Sequence, residues 1–429
     1  MSPPKATTHS IETLTRLRKF LGAQSDAALE KAERAKVKDL CHDVSRLDTA
    51  SWLLVSPDFG HVFSGFERVF SVYVRPMRRR RGLPTLNDAA RDRAKPDAFA
   101  SDYATFDRLS IVYGRLFRGS VIVNYLLGVV VVGLTVASIL PQPKFFASLG
   151  LREFPEFASY AAGIELACIL FIAVVFYYGQ TPHAKVESKE LGFRGGRWMR
   201  RIGRRWHERW LEYRLLAERF RYIELMLSIS PGAATQPPFK PAERESMRWY
   251  DCYFVWRTEH AELPDLSVHE YRERALALML EQIRHHDANS ARRGAIARRL
   301  HRVAVGLFFF SLLLCVVDLF AELIWPGFFN ANLKSLVLFG AVLAPVVAAA
   351  IHGVLTTTEY NKIADSSKEI ADRIASLITT IRGFPTTEGR AAPEALKPIR
   401  DAVTAFADAA INEASNWRAM LRDKNIPLG

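Results

Sequence analysis

Four apolar runs dominate this chain: Ser120–Leu140, Ala158–Tyr178, Val303–Trp325 and Leu336–Leu355. Each holds about 20 residues, the length at which an α-helix crosses a hydrocarbon core of ~30 Å. Lipid offers backbone N–H and C=O groups no water, so such a run must satisfy them internally, as a helix does. The expected fold class is therefore all-α: a polytopic membrane protein with four transmembrane helices and a helical cytoplasmic body.

Hydrophobic residues make up 49% of the 429, yet mean hydropathy is only +0.01. The apolar residues are thus concentrated in the runs, and the remainder reads as water-facing protein. The opening MSPPKATTHSIETLTRLRKF lacks the apolar core and small-residue cleavage site of a secretory signal, so the first run is expected to direct insertion. Net charge is +13. Lys and Arg crowd the stretches before the first run, between the second and third, and after the fourth; they are sparse in Pro141–Phe157 and Pro326–Asn332. Cytoplasmic loops carry this excess. Both termini and the middle region are predicted cytoplasmic, facing a bilayer with an anionic inner leaflet. No specific nucleic-acid contact is expected, because no aromatic or glycine pattern of an RNA module accompanies the basic run Arg75–Arg81.

The chain divides into a mostly helical N-terminal cytoplasmic region with a basic linker (1–104), a first transmembrane hairpin (105–179), a cytoplasmic helical region (180–302), a second transmembrane hairpin (303–356) and a C-terminal cytoplasmic helical hairpin (357–429). Leu14, Leu17 and Leu21 have helical spacing. Arg115 and Arg118 fall at the expected cytoplasmic edge of the first span. Trp198, Ile202, Trp206 and Trp210 recur every four residues, with Arg200, Arg201, Arg204 and Arg205 between them. That stripe either packs on neighbouring helices or lies on the anionic leaflet. Ile363, Ser367, Ile370, Ile374, Leu377 and Ile381 alternate steps of four and three, a heptad seam for an intramolecular hairpin or an oligomeric coil.

No phosphate loop, HExxH or nucleophile elbow is present, so no enzymatic activity, cofactor or metal is expected. His285-His286-Asp287 reads as exposed helix surface rather than a ligand set. Four cysteines show neither CxxC spacing nor a disulfide framework. The informative groups lie in the apolar runs. Glu165 interrupts the second, and Asp318 and Glu322 the third. A carboxylate at mid-bilayer costs at least ~2.5–3.5 kcal/mol, so such residues face protein or water. Glu165 and Asp318 each fall about seven residues from the outer end of their runs, hence ~10 Å below the outer surface. A shared height, a shared protein-lined space and a cation-attracting ring around an oligomer axis are the expectation, with helix contact as the alternative. Asn124 is a candidate interhelical hydrogen-bonding residue. Pro345 is a candidate kink whose freed carbonyl a Ser or Thr elsewhere would satisfy. His352 falls near the cytoplasmic edge.

Three segments carry a family resemblance. Trp206–Arg221, with Trp206, Trp210, Tyr213, Arg214, Glu218 and Arg221, resembles the helix after the first membrane hairpin of bacterial proteins fused to SLOG nucleotide-sensor domains. Tyr113–Leu127, with Arg118-Gly-Ser and Asn124-Tyr-Leu-Leu, resembles their membrane entry. Glu281-Gln-Ile-Arg-His-His, with Glu413 and Trp417 near the end, resembles the SLATT class of two-span effectors. The resemblance covers roughly 105–429; the first ~100 residues lack the glycine-rich loops of a SLOG domain. It implies a pore-forming or membrane-disrupting effector in nucleotide-linked conflict or antiphage systems, expected here as an oligomer in the bacterial inner membrane triggered by a nucleotide or a partner protein.

Overall fold

The computed structural model describes residues 6–24, 31–47, 59–71, 98–139, 157–180, 206–228, 248–263, 266–324, 331–383 and 393–421. Every regular element among them is a helix: α1 (Ala6–Ala23), α2 (Lys31–Arg46), α3 (Phe59–Ser71), α4 (Ala100–Ile139), α5 (Phe157–Gln180), α6 (Trp206–Leu227), α7 (Trp249–Glu259), α8 (Val268–Ile324), α9 (Ala331–Thr358), α10 (Tyr360–Arg382) and α11 (Pro393–Leu421). Trp198, Arg200, Arg201, Arg204, Arg205 and the Arg75–Arg81 run lie outside the described residues.

Among the described residues three helices are long and apolar enough to cross a membrane, in α4, α8 and the stretch starting at Leu333 in α9. The expected count of four is not reached among them: α5 has 24 residues, of which the described apolar part is Ser159–Val175. Two of these helices continue well beyond their apolar stretch as polar helix. α4 has 40 residues and α8 has 57, hence about 60 and 85 Å. The divisions expected at 104/105 and 302/303 therefore fall inside single helices.

The apolar run of α4 is not all lipid-facing. Val121 and Asn124 are fully buried and Ile122 nearly so, whereas Leu126 is 54% exposed. The first turns of the run belong to the protein body, and the lipid-facing part starts near Leu126. α4 packs on α5 on one side and α9 on another, and α9 packs on α8. Beneath the membrane, α4 also holds α1, α3 and α6. Leu17 and Phe20 of α1 are fully buried there.

The heptad seam of α10 lies chiefly along the polar, N-terminal half of α8. Asn289 Nδ2 donates to Ser367 Oγ at 2.9 Å, and Arg272 reaches the Arg382 carbonyl at 3.2 Å. Ser367, Ile370, Ile374 and Ile381 are buried in this contact region. α11 touches α10 through Ser366 and Glu413, 3.2 Å apart, and packs on α6 through Phe406 and Tyr222, whose rings are 5.0 Å apart. One residue, Glu359, separates α9 from α10. Its φ is 53°, a left-handed conformation costly for a residue with a Cβ.

Candidate membrane-embedded acids and the helical hub

Between Val303 and Ala321, every described α8 side chain is exposed except Ala304, Leu307, Ser311, Leu314, Asp318 and Ala321. Steps of three and four join these six, so they form one stripe. That stripe faces α9: Ser311 Oγ donates to the Ala341 carbonyl at 2.6 Å, and Leu314 Cδ1 lies 2.9 Å from where a Cβ on Gly340 would sit. Asp318 therefore sits on a helix–helix seam. Its Oδ1 is buried and meets no hydrogen-bond donor among the described residues.

α5 has the same design. From Ser159 to Val175 only Ala161, Glu165, Cys168, Ile172 and Val175 are not exposed. This stripe faces α4, where Thr135 Oγ1 donates to Glu165 Oε1 at 3.1 Å. The two acids thus line separate seams, α4–α5 and α8–α9, with the α4–α9 pair between them. Their heights differ as well. Leu343 lies against Gly133 and Ala341 against Ser311, so Thr135 and Glu165 stand about level with Ser311. Asp318 is one heptad further along α8, away from the helical body, ~10 Å at 1.5 Å per residue. The expected common height and common space do not hold within one chain, because each acid faces its own hairpin partner.

Pro345 lies inside α9. A proline has no N–H for the carbonyl four residues earlier, here Ala341, and this is the carbonyl that Ser311 satisfies across the seam. Asn124 is fully buried on α4. His352 is exposed, and its carbonyl accepts from Thr356 Oγ1 at 3.0 Å. Glu322 lies in the last turn of α8 and Trp417 in that of α11, with side chains outside the described residues. Arg115 is exposed. Arg118 does not reach toward lipid: its guanidinium lies over Phe63 at 4.8 Å and Trp210 at 5.0 Å, held by Nε on the Gly114 carbonyl at 3.0 Å.

The resemblance block Trp206–Arg221 forms most of α6, the hub of the helical body outside the apolar stretches. Arg209, Glu212, Glu218, Arg219 and Glu224 are all buried in it, as are Trp206 and Tyr213. Buried charges require partners, and these come from far along the chain. Asp43 of α2 accepts from Arg209, from Tyr113 at 2.8 Å and from Tyr213 at 3.2 Å. Glu218 pairs with Arg214 at 2.5 Å and Arg221 at 2.9 Å. Arg219 meets Asp251 of α7 at 2.5 Å. Glu224 accepts from Arg274 at 3.0 Å and from the Ala98 N–H at 2.9 Å. A second centre is Asp102, fully buried in the first turn of α4. It accepts from Arg16 and Arg257, each at 2.9 Å, and from Tyr253 at 2.7 Å. Sequence reasoning missed this network. The available signal was the cation type: α6 carries Arg209, Arg214, Arg219 and Arg221 and no lysine, and arginine is the cation suited to buried pairs.

His286 departs from the expected exposed surface. It is 6% exposed, and burial first, then neighbouring His285, pushes its imidazole down to about 3. It is therefore neutral, and its Nδ1 has no partner among the described residues. His285 is exposed. Among the described residues no group of His, Cys, Asp and Glu is placed to hold a metal. No family model, curated protein or solved structure matches the chain.

Proposed function

We propose that the chain is an oligomeric membrane effector that conducts cations when a cytoplasmic signal, a nucleotide or a partner protein, rearranges its body. The SLATT-like resemblance points to bacterial antiphage defence at the inner membrane. One observation supports the conducting role: Asp318 holds a buried carboxylate oxygen, without a partner among the described residues, on the seam of an apolar helix. An ionisable group inside a span marks an ion or proton path by default. Copies around an axis would gather these carboxylates into a ring that attracts cations. α4 and α8, continuous from body to membrane, would transmit the signal.

Four crossings with both termini cytoplasmic fit this reading. α6 packs on the cytoplasmic half of α4, with His207 and Phe117 rings 4.5 Å apart. The chain leaves that body along α4 and is back in it at Trp206, so α5 serves as the return span. Membrane-impermeant thiol labelling of a cysteine at exposed Thr379 in intact cells should fail; labelling there would reverse the orientation.

Triggered expression should dissipate the membrane potential, and Asp318→Asn should insert normally yet lose most of that effect. A purified protein that stays monomeric and passes no current under any trigger removes the proposal. The Glu165–Thr135 bond favours a second reading, a membrane-anchored scaffold recruiting a partner, in which the acids are helix contacts. A scaffold would keep its function in the double variant Glu165→Gln/Asp318→Asn.

A further inference from the structure

From Ala288 to Val317 α8 carries no Asp or Glu, yet its polar part there holds Arg292, Arg293, Arg298, Arg299, His301 and Arg302. Two of these cations turn inward. Arg293 binds Glu67 of α3, and Arg299 Nη1 donates to the Phe70 carbonyl at 2.6 Å. Arg298, His301 and Arg302 are exposed, and steps of three and four place them on one side of the helix. None of the three forms an ion pair among the described residues; Arg302 Nε donates to the Arg298 carbonyl of its own helix at 3.4 Å.

The same side continues into the apolar run as Val305, Phe309, Leu312 and Val316, which are 38%, 62%, 51% and 39% exposed. It lies opposite the Ala304–Ala321 stripe that meets α9. One uncovered strip of α8 therefore passes directly from cationic to apolar. The heights agree with a bilayer edge. Arg302 and His301 precede Val303, the start of the run, by one and two residues, hence ~3 Å or less, and Arg298 by five, ~8 Å. The headgroup layer is about 5–8 Å thick on each side. Arg302 and His301 stand inside it. Arg298 stands at its water-side boundary with its guanidinium against Gly294, and its exposed side chain is free to turn toward the layer.

We propose that Arg298, His301 and Arg302 bind the headgroup phosphate of an anionic glycerophospholipid whose acyl chains lie along Val305, Phe309 and Leu312. Guanidinium groups suit phosphate geometry, and an ionised partner strengthens each bond. A lipid presents an anion and then hydrocarbon, in the order in which this strip presents cations and then apolar side chains. A second copy is a poorer cover. An isologous contact sets the same patch against itself, here cations on cations with no acid between them. The proposal rests on α8 crossing a bilayer, as proposed above, and not on ion conduction. A lipid held there would fix the height of α8, and with it the height of Asp318.

The test is photo-crosslinking of the full chain in vesicles of phosphatidylglycerol and phosphatidylcholine in equal parts. The crosslinking residue p-benzoylphenylalanine replaces exposed Val305 or, as the reference, exposed Leu170 of α5, and mass spectrometry identifies the adducts. At Val305 phosphatidylglycerol adducts should exceed phosphatidylcholine adducts about fivefold or more, since each guanidinium near an anionic surface is worth about a fivefold preference. The triple variant Arg298→Gln/His301→Gln/Arg302→Gln should bring the ratio close to one. Arg292→Gln, on another side of α8, should leave it unchanged. All four side chains are exposed, so these variants should fold as the wild type does. An even ratio in the wild type, a ratio that the triple variant does not lower, an equal fall in Arg292→Gln, or crosslinking at Val305 chiefly to a second copy overturns the proposal. Lipid adducts at both positions with an even ratio defeat this proposal alone. No lipid adduct at either position defeats the proposed membrane crossing as well.

Discussion

Ser311 and Pro345 show how a single residue conditions a span. The proline leaves the Ala341 carbonyl without its helical donor, and Ser311 supplies one from α8. Ser311→Ala should cost about 1 kcal/mol, the worth of an interhelical hydrogen bond in a membrane. In a Pro345→Ala background the same change should cost close to nothing, because the helix can then satisfy its own carbonyl. A double-mutant cycle on unfolding reads the difference; equal costs in both backgrounds would mean that the bond contributes nothing. His286 gives a pH signature. The unfolded imidazole titrates near 6.5 and the folded one near 3. Below about 6.5 the unfolded chain takes up a proton that the folded chain refuses. Stability contributed here is thus full above 6.5 and is lost as pH falls towards 3, at no more than ~1.4 kcal/mol per unit. The groups around it are His285, Glu218, Arg214 and Arg221. His286→Gln should flatten the acid limb of the stability profile relative to wild type; parallel profiles would contradict the assignment.

At the scale of elements, the apolar helices could be read directly because hydropathy is a local property of a run. Their faces could not. Nearly every residue of Val303–Ile324 is apolar, so composition marks no inward side, and only Ser311, Asp318 and the small Ala304 and Ala321 betray the stripe that meets α9. The same limit placed Glu165 and Asp318 at one height: distance from a run's end ignores the register that Gly133, Leu343 and Ala341 impose. α6 failed for the opposite reason. Its charges look solvated until Asp43 and Asp251, 166 and 32 residues from their arginines, are brought to them by the fold. The heptad of α10 was visible, but periodicity does not name a partner, and α8 is the partner that takes most of it. Sequence gave no sign of the joint at Glu359, since glutamate favours helix interiors. A left-handed residue with a Cβ costs ~1–2 kcal/mol, while glycine at such a position loses only ~0.4–1 kcal/mol through the unfolded chain. Glu359→Gly should therefore be neutral or slightly stabilising, and Glu359→Ile should destabilise by more than about 1 kcal/mol. Thermal midpoints of the full chain in detergent would show it, and an isoleucine variant as stable as the glycine one would mean that the joint is not held left-handed.

Across the whole molecule, the long helices make body and membrane one mechanical unit. α6 is packed on its neighbours nearly all round, α4 and α8 leave that body without a break, and α9 re-enters it through a one-residue joint. Rearrangement of the packed body therefore has three routes into the bilayer, and Asp318 lies on the α8–α9 seam that two of them share. The account rests most heavily on that carboxylate controlling ion passage. Reversal potentials across planar bilayers, under a cation gradient with the trigger present, measure it directly. The wild type is predicted to reverse near the cation equilibrium potential, and Asp318→Asn to move towards zero while inserting in equal amounts. An unchanged reversal potential in Asp318→Asn, with equal current, would contradict the claim and leave Asp318 a helix-packing residue.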